Sequence, residues 1–260
     1  MADSVSTKLS KNINFADQWR TSQCSVAYRS VRPSAPQQII DFAVDFLAKS
    51  FCKPFELCLD VGCGPGTSTA TLAPYFRRVI GIDISSTQIE EAKRHNVLAN
   101  VEYRVGSSDD LEVADSSVNM VAAFVAAHWF NMAQFVSECD RVLKPGGTVA
   151  LVSYDNFPQL VCYPYTDQNV ADRINQYCAE IRQWLTEQGY YVKISEDMKQ
   201  NQYRPYDDVF TYTSRARHQT VAEYDTNLDG IVKRIESISG FQNYINATDD
   251  STWLHQIRQK

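Results

Sequence analysis

The chain has 260 residues, 44% of them hydrophobic and 22% charged, with a formal net charge of -6. That acidic balance, mixed along the sequence, excludes a nucleic acid or an anionic membrane held by general electrostatics. No run reaches the roughly 18 apolar residues of a spanning helix, and the start "MADSVSTKLSKNINF" lacks the apolar core of a secretion signal, so a cytoplasmic protein is expected.

Residues 1–54 contain an amphipathic helix with Ile39, Ile40, Ala43, Phe46 and Leu47 on one face, after the polar and aromatic "QWRTSQCSVAYRSVRP". This stretch reads as a helical lid or edge cover. From about residue 55 short β-branched runs alternate with helical patterns, the signature of βα units on a parallel sheet. "FELCLDVG" is the first strand and Thr67 to Tyr75 the helix after it; "RRVIGIDIS" is the second strand, followed by the serine-capped helix "SSTQIEEAKRHN". "VEYRVG" is the third strand, and "SVNMVAAFVAA", nearly all apolar, a fourth at the centre. The helix "MAQFVSECDRVL" follows and is expected to stop at "KPGG" before the strand "TVALVSY". In residues 155–260 the pattern predicts a helix from Asp167 to Gln188, a strand or hairpin in "DDVFTYTSRARHQTVAEY", and a helix from Leu228 to Tyr244. A single domain is expected, an open, mostly parallel, doubly wound Rossmann-like α/β fold with its core at 55–154.

The seven cysteines, odd in number and without a CxxC pair, read as reduced thiols, and with four scattered histidines they form no metal-ligand pattern. The informative stretch is "LDVGCGPGTST". Ligands of open parallel sheets bind at the carboxyl ends of the strands, so Asp60, Gly62, Gly64 and Gly66 lie at the binding edge. Asp83 ends the next strand about 20 residues on, where a carboxylate accepts ribose hydroxyls. Together they indicate an adenosine-containing cofactor. A P-loop is excluded by the missing GK[ST], and the spacing GxGxG is not the dinucleotide GxGxxG. Asp60 beside the loop repels a pyrophosphate but suits a ligand bearing an ammonium and a sulfonium.

"LDVGCGPGTST", "VIGIDISSTQIEEAK", "YRVGSSDDL", "VAAHWF" and "RVLKPGG", in this order, resemble the class I S-adenosylmethionine-dependent methyltransferases. The wider frame, with "YRSVRPSAP" before the core and "ESISGFQNYI" near the end, is similar to the small-molecule branch that includes trans-aconitate methyltransferase. The resemblance implies a seven-stranded-type sheet. It also implies that Asp60 to Gly66 hold the methionine part of S-adenosylmethionine, that Asp83 holds the ribose, and that Ile84 lies against the adenine. Ser108 and Asp109 stand where the family meets the adenine edge, although the acid often found at the position of Ser107 is missing. Val125 and Ala126 pass the cofactor by backbone, and Tyr28 and Arg32 match the family's lid. One departure is that the end "DDSTWLHQIRQK" has no apolar strand; "VFTYTSRARHQTV" supplies the last strand, or the edge stays open and a dimer forms.

Displacement at a sulfonium methyl asks chiefly for alignment away from water. A carboxylate acceptor needs orientation alone, whereas a hydroxyl or amine needs a general base, for which His128 after the central strand is the candidate. Trp129 and Tyr154 are expected at the acceptor, with Arg204 as a carboxylate partner alongside the further candidates Arg32, Arg215 and Arg217. The expected function is methyl transfer to a small molecule, with an acid oxygen as the hypothesised acceptor, by a monomer or homodimer. A non-catalytic cofactor-binding regulator, an amine or protein acceptor, and an NAD-dependent oxidoreductase remain the alternatives.

Overall fold

Five strands run parallel in one sheet: β1 (Phe55–Val61), β2 (Phe76–Asp83), β3 (Val101–Val105), β4 (Val118–Phe124) and β5 (Leu143–Val152). The computed structural model describes residues 29, 31–154, 168–190, 204–212 and 214–248. The strand order is β3-β2-β1-β4-β5, so the winding direction reverses between β1 and β4 and opens a crevice at their carboxyl ends. β4 is buried along nearly its whole length, as its apolar sequence requires of a central strand.

Helices α1 (Gln37–Leu47), α2 (Thr69–Leu72), α3 (Ser86–His95) and α4 (Met132–Val142) connect and cover these strands. The α1 face that is buried is Ile40, Val44 and Leu47, joined to Phe55 and Cys58 of β1, Phe76 and Val79 of β2 and Met120 and Ala122 of β4 in the main apolar core. Fully burying such aliphatic side chains stabilises by about 1.5–3 kcal/mol each. The N-terminal helix expected as a lid is therefore a core element in its described part. Ser85 caps α3 by accepting from the Gln88 N–H, and Lys93 and Arg94 lie in its last turn, where cations offset the helix dipole.

The "KPGG" segment does not precede β5 but lies inside it. Leu143 already pairs with Val118 and Thr148 with Met120, so residues 144–147 bulge out of the ladder, with Gly146 at φ +85°. The helix Thr67 to Tyr75 is shorter than expected, α2 followed by a 3-10 turn at Ala73–Tyr75.

Of the described residues, those in Trp19–Ser153 and Asn201–Asp225 form one compact unit and those in Tyr154–Gln200 and Thr226–Lys260 a second. The second contains α5 (Gln168–Glu187), α6 (Leu228–Glu236) and α7 (Ser239–Thr248), packed through Ile181, Leu185, Val232, Ile235, Ile238 and Phe241. The helix predicted from Leu228 to Tyr244 is thus two, broken where the Ser237 hydroxyl donates to the Arg234 carbonyl.

The seven-stranded sheet is corrected to five strands among the described residues. Among the described residues of 208–224 there is no strand. Their carbonyls are satisfied locally instead: Arg215 donates to the carbonyls of Asp207, Phe210 and Tyr212, and Arg217 pairs with Asp207. An alternation with few apolar residues gives no face to bury, and these residues stay largely exposed.

Candidate functional site

The loop between β1 and α2 is built at the crevice. Its first turn stays on the sheet, because the N–H groups of Gly62 and Cys63 both donate to the Ile82 carbonyl, at 2.7 and 3.0 Å. Gly62, Gly64 and Gly66 all have positive φ, at +71°, +54° and +76°. They serve different purposes. A Cβ on Gly62 would collide with the Ala126 Cβ and lie 3.3 Å from the Phe130 ring, so this glycine lets the loop pack on the end of β4. Around Gly64 nothing lies within 4 Å of such a Cβ; its backbone faces open space, where a ligand can approach. Gly66 is covered by the buried Tyr103, which reaches its carbonyl at 3.5 Å.

Two carboxylates line the loop. Asp60, 1% exposed at the end of β1, accepts the Thr69 hydroxyl on Oδ2 at 2.6 Å, while its Oδ1 is buried with no hydrogen-bond partner among the described residues. Burial, with Asp83 nearby, pushes the Asp60 carboxyl up to about 7. Asp83, at the end of β2, accepts the N–H of Gly64 on Oδ2 at 2.8 Å and that of Ser85 on Oδ1 at 2.9 Å; burial raises it despite these bonds. Burial likewise carries Tyr103 up to about 12. The edge thus carries two buried acids, a site that favours a positively charged ligand.

Next to it, Ile84 is 60% exposed, an apolar side chain standing at the lip. Ser108 and Asp109 lie in the loop after β3, the serine hydroxyl donating to the Asp109 carboxylate at 3.0 Å. Gly106 N–H bonds the Asp83 carbonyl at 3.0 Å and so ties that loop to the same edge. Val125, just past β4, has φ +55°, a strained conformation for a β-branched residue that costs on the order of 1–3 kcal/mol. Its N–H donates to the Val152 carbonyl at 2.7 Å, which holds the turn in place. Ala126 follows and meets Gly62.

The 3-10 turn Ala127–Trp129 carries His128, 6% exposed, against the Trp129 ring at 4.7 Å. Tyr206, from the 3-10 turn Arg204–Asp207, donates its hydroxyl to the Ala127 carbonyl at 2.9 Å in a buried contact. Arg32 is buried and Arg204 exposed, whereas Arg215 is engaged by the carbonyls of Asp207, Phe210 and Tyr212 and Arg217 by the Asp207 carboxylate. Tyr154 belongs to the second unit and lies under the Arg234 guanidinium at 5.5 Å. Tyr28 lies outside the described residues. Its neighbour Arg29, which sequence reasoning passed over, donates to the Pro65 carbonyl at 2.6 Å, and the Ala35 N–H bonds the Ser68 hydroxyl. Thr69, Tyr103 and Tyr206 were also passed over. Only the threonine follows the glycines closely enough to have been found from the motif.

Residues 59–151 match the family described as methyltransferase domain. A Dictyostelium discoideum protein assigned by name as a methyltransferase is 30% identical over 66% of this chain and 64% of its own length. A Saccharomyces cerevisiae protein assigned as an S-adenosylmethionine-dependent methyltransferase is 31% identical over 54% of this chain and 48% of its own. The chain thus spans about half to two thirds of the curated relatives it matches. A structure from Anaeromyxobacter dehalogenans, assigned as a type II methyltransferase, shares the fold at 23% identity, over 88% of this chain and 87% of the other, with a TM-score of 0.59. Residues 59–151, which bring the glycine loop, the two carboxylates and the strained end of β4 to one crevice, thus match a methyltransferase domain.

Proposed function

We propose that the whole chain transfers the methyl group of S-adenosylmethionine to a small-molecule acceptor, in the branch that resembles trans-aconitate methyltransferase, with a carboxylic acid oxygen as the acceptor atom. The observation that carries this reading is the pairing of the open Gly64 backbone with two buried acids at the topological switch point. The residues fit the cofactor. An unpartnered buried carboxylate oxygen on Asp60 suits its cationic end, the remaining lone pairs of Asp83 suit ribose hydroxyls, and the exposed Ile84 suits an adenine face. When bound, the cofactor supplies an electrophilic methyl on a sulfonium.

In this reading the chain's own residues bind, orient and exclude water. Asp60, Gly62, Gly64 and Gly66 hold the methionine part, with Arg32 and Tyr28 closing on it. Asp83 and Ile84 hold the nucleoside together with Ser108 and Asp109, and the backbone of Val125 and Ala126 forms the wall toward the acceptor. Trp129, Tyr154 and Arg204 serve the acceptor; an ionised carboxylate needs only their orientation, and His128 takes a proton where the acceptor is a hydroxyl. Residues 155–260 carry the acceptor side in this proposal, and the protein works as a monomer or homodimer. The described cysteines, all free, accord with a cytoplasmic setting.

The test is incubation of the purified chain with S-adenosylmethionine labelled in the methyl group and a panel of small organic acids. Label in a base-labile ester supports the reading. Label only in amines or protein moves the acceptor class, and cofactor binding without transfer to any acceptor leaves a regulator.

A further inference from the structure

Thr69 is fully buried at the first position of α2, and its hydroxyl fixes one oxygen of Asp60, leaving the other, Oδ1, equally buried and without a hydrogen-bond partner among the described residues. Asp83 differs, since both its oxygens already accept backbone N–H groups. Asp60 is therefore an acid with one oxygen held and the other requiring either a proton or a cation. Among the described residues, the groups that bear on its charge, Thr69 and Asp83, include no cation. Cys58 on its own strand, Cys63 in the loop, Asp83 on β2 and Tyr103 on β3 are neutral or acidic, and Ala122 is its partner on β4. Arg29 is engaged by the Pro65 carbonyl.

We propose that Thr69 is a positioning residue for the cofactor: by holding Oδ2 it keeps Asp60 ionisable and leaves Oδ1 to receive the cofactor's cationic end, so that binding expels the Asp60 proton. This rests on the methyltransferase reading. The balance is simple. A protonated carboxyl in the ligand-free site becomes a carboxylate beside the bound cation, and one proton leaves for solvent. Burial drives the Asp60 carboxyl up to about 7 and the Thr69 hydrogen bond opposes that rise, so removing the hydroxyl makes the proton harder to expel.

The experiment is calorimetric titration of the full chain between about pH 6 and about pH 8, with S-adenosylmethionine and with adenosine, which lacks both cationic groups. For the unsubstituted protein, affinity for S-adenosylmethionine rises with pH through neutrality and a proton is released. Thr69→Val weakens S-adenosylmethionine about tenfold at neutral pH and moves the rise up by about one pH unit, the equivalent of one charge-assisted hydrogen bond. Thr69→Ser restores both, and adenosine affinity changes less than about twofold in either variant. An unchanged pH curve in Thr69→Val, or equal losses for both ligands, overturns the positioning role while leaving the methyltransferase reading intact. No binding of S-adenosylmethionine by the unsubstituted chain overturns both. If Thr69→Val does not fold, Asp60→Asn carries the test: its curve is flat in pH, and a curve like that of the unsubstituted protein contradicts the proposal.

Discussion

Gly62 and Ala126 meet across the topological switch point, the first loop glycine after β1 lying so close to the residue after β4 that a Cβ on Gly62 would overlap the Ala126 methyl. The cofactor loop is thereby keyed into the end of the central strand. Gly62→Ala suffers both the overlap and the positive φ, and is expected to lose about 2–4 kcal/mol of stability. Gly64→Ala meets no neighbour and is expected to lose only about 1 kcal/mol, yet to weaken the cofactor at least tenfold by filling its space. Urea denaturation beside ligand titration separates the two losses; equal destabilisation by both variants contradicts this division of roles.

Asp83→Ala removes the acceptor for the Gly64 and Ser85 N–H groups as well as the proposed ribose contact. Cofactor affinity should fall by about 1–3 kcal/mol, with a stability loss of comparable size in the absence of ligand. Calorimetry on the folded variant measures the first and thermal unfolding the second; unchanged affinity refutes the ribose assignment.

The contribution of Asp60 to the stability of the ligand-free protein should fall as pH rises from about 4 to about 7. An acid whose folded pKa lies above its unfolded value keeps its proton longer when folded, so the contribution of Asp60 is complete below the unfolded value near 3.8 and lost as pH climbs through the folded value of about 7. The whole effect is a few kcal/mol at most, on the scale of about 1.4 kcal/mol per pKa unit. Unfolding midpoints of the unsubstituted protein and Asp60→Asn across this window check it, because the variant lacks that component of the slope.

Tyr206→Phe deletes the hydroxyl that holds the Ala127 carbonyl beneath His128 and Trp129. A loss of about 1 kcal/mol in stability is expected, with turnover reduced more than cofactor affinity, since the proposed function puts His128 and Trp129 of this turn at the acceptor. Equal effects on both parameters argue that Tyr206 is structural only.

The parallel core was legible because its signals are local: β-branched runs, the Ser85 cap and the nearly all-apolar β4 each fix an element without long-range information. The glycine loop and Asp83 were legible for the same reason, being fixed by spacing along two consecutive βα units. What escaped depends on contacts distant in sequence. Tyr206 reaches Ala127 across a separation of 79 residues, and the bulge at "KPGG" follows from pairing with Val118 and Met120 rather than from the turn residues themselves. Among the described residues of "VFTYTSRARHQTV" no strand forms, because Arg215 satisfies the Phe210 and Tyr212 carbonyls that a ladder would have used.

The central claim is that the crevice between β1 and β4 holds S-adenosylmethionine, and the most direct measurement is calorimetric titration of the purified chain with S-adenosylmethionine, with S-adenosylhomocysteine and NAD as comparisons. The account predicts a single site of roughly micromolar affinity for S-adenosylmethionine, worth about 8 kcal/mol, and no heat with NAD. Binding of NAD in place of S-adenosylmethionine, or of neither, would contradict it.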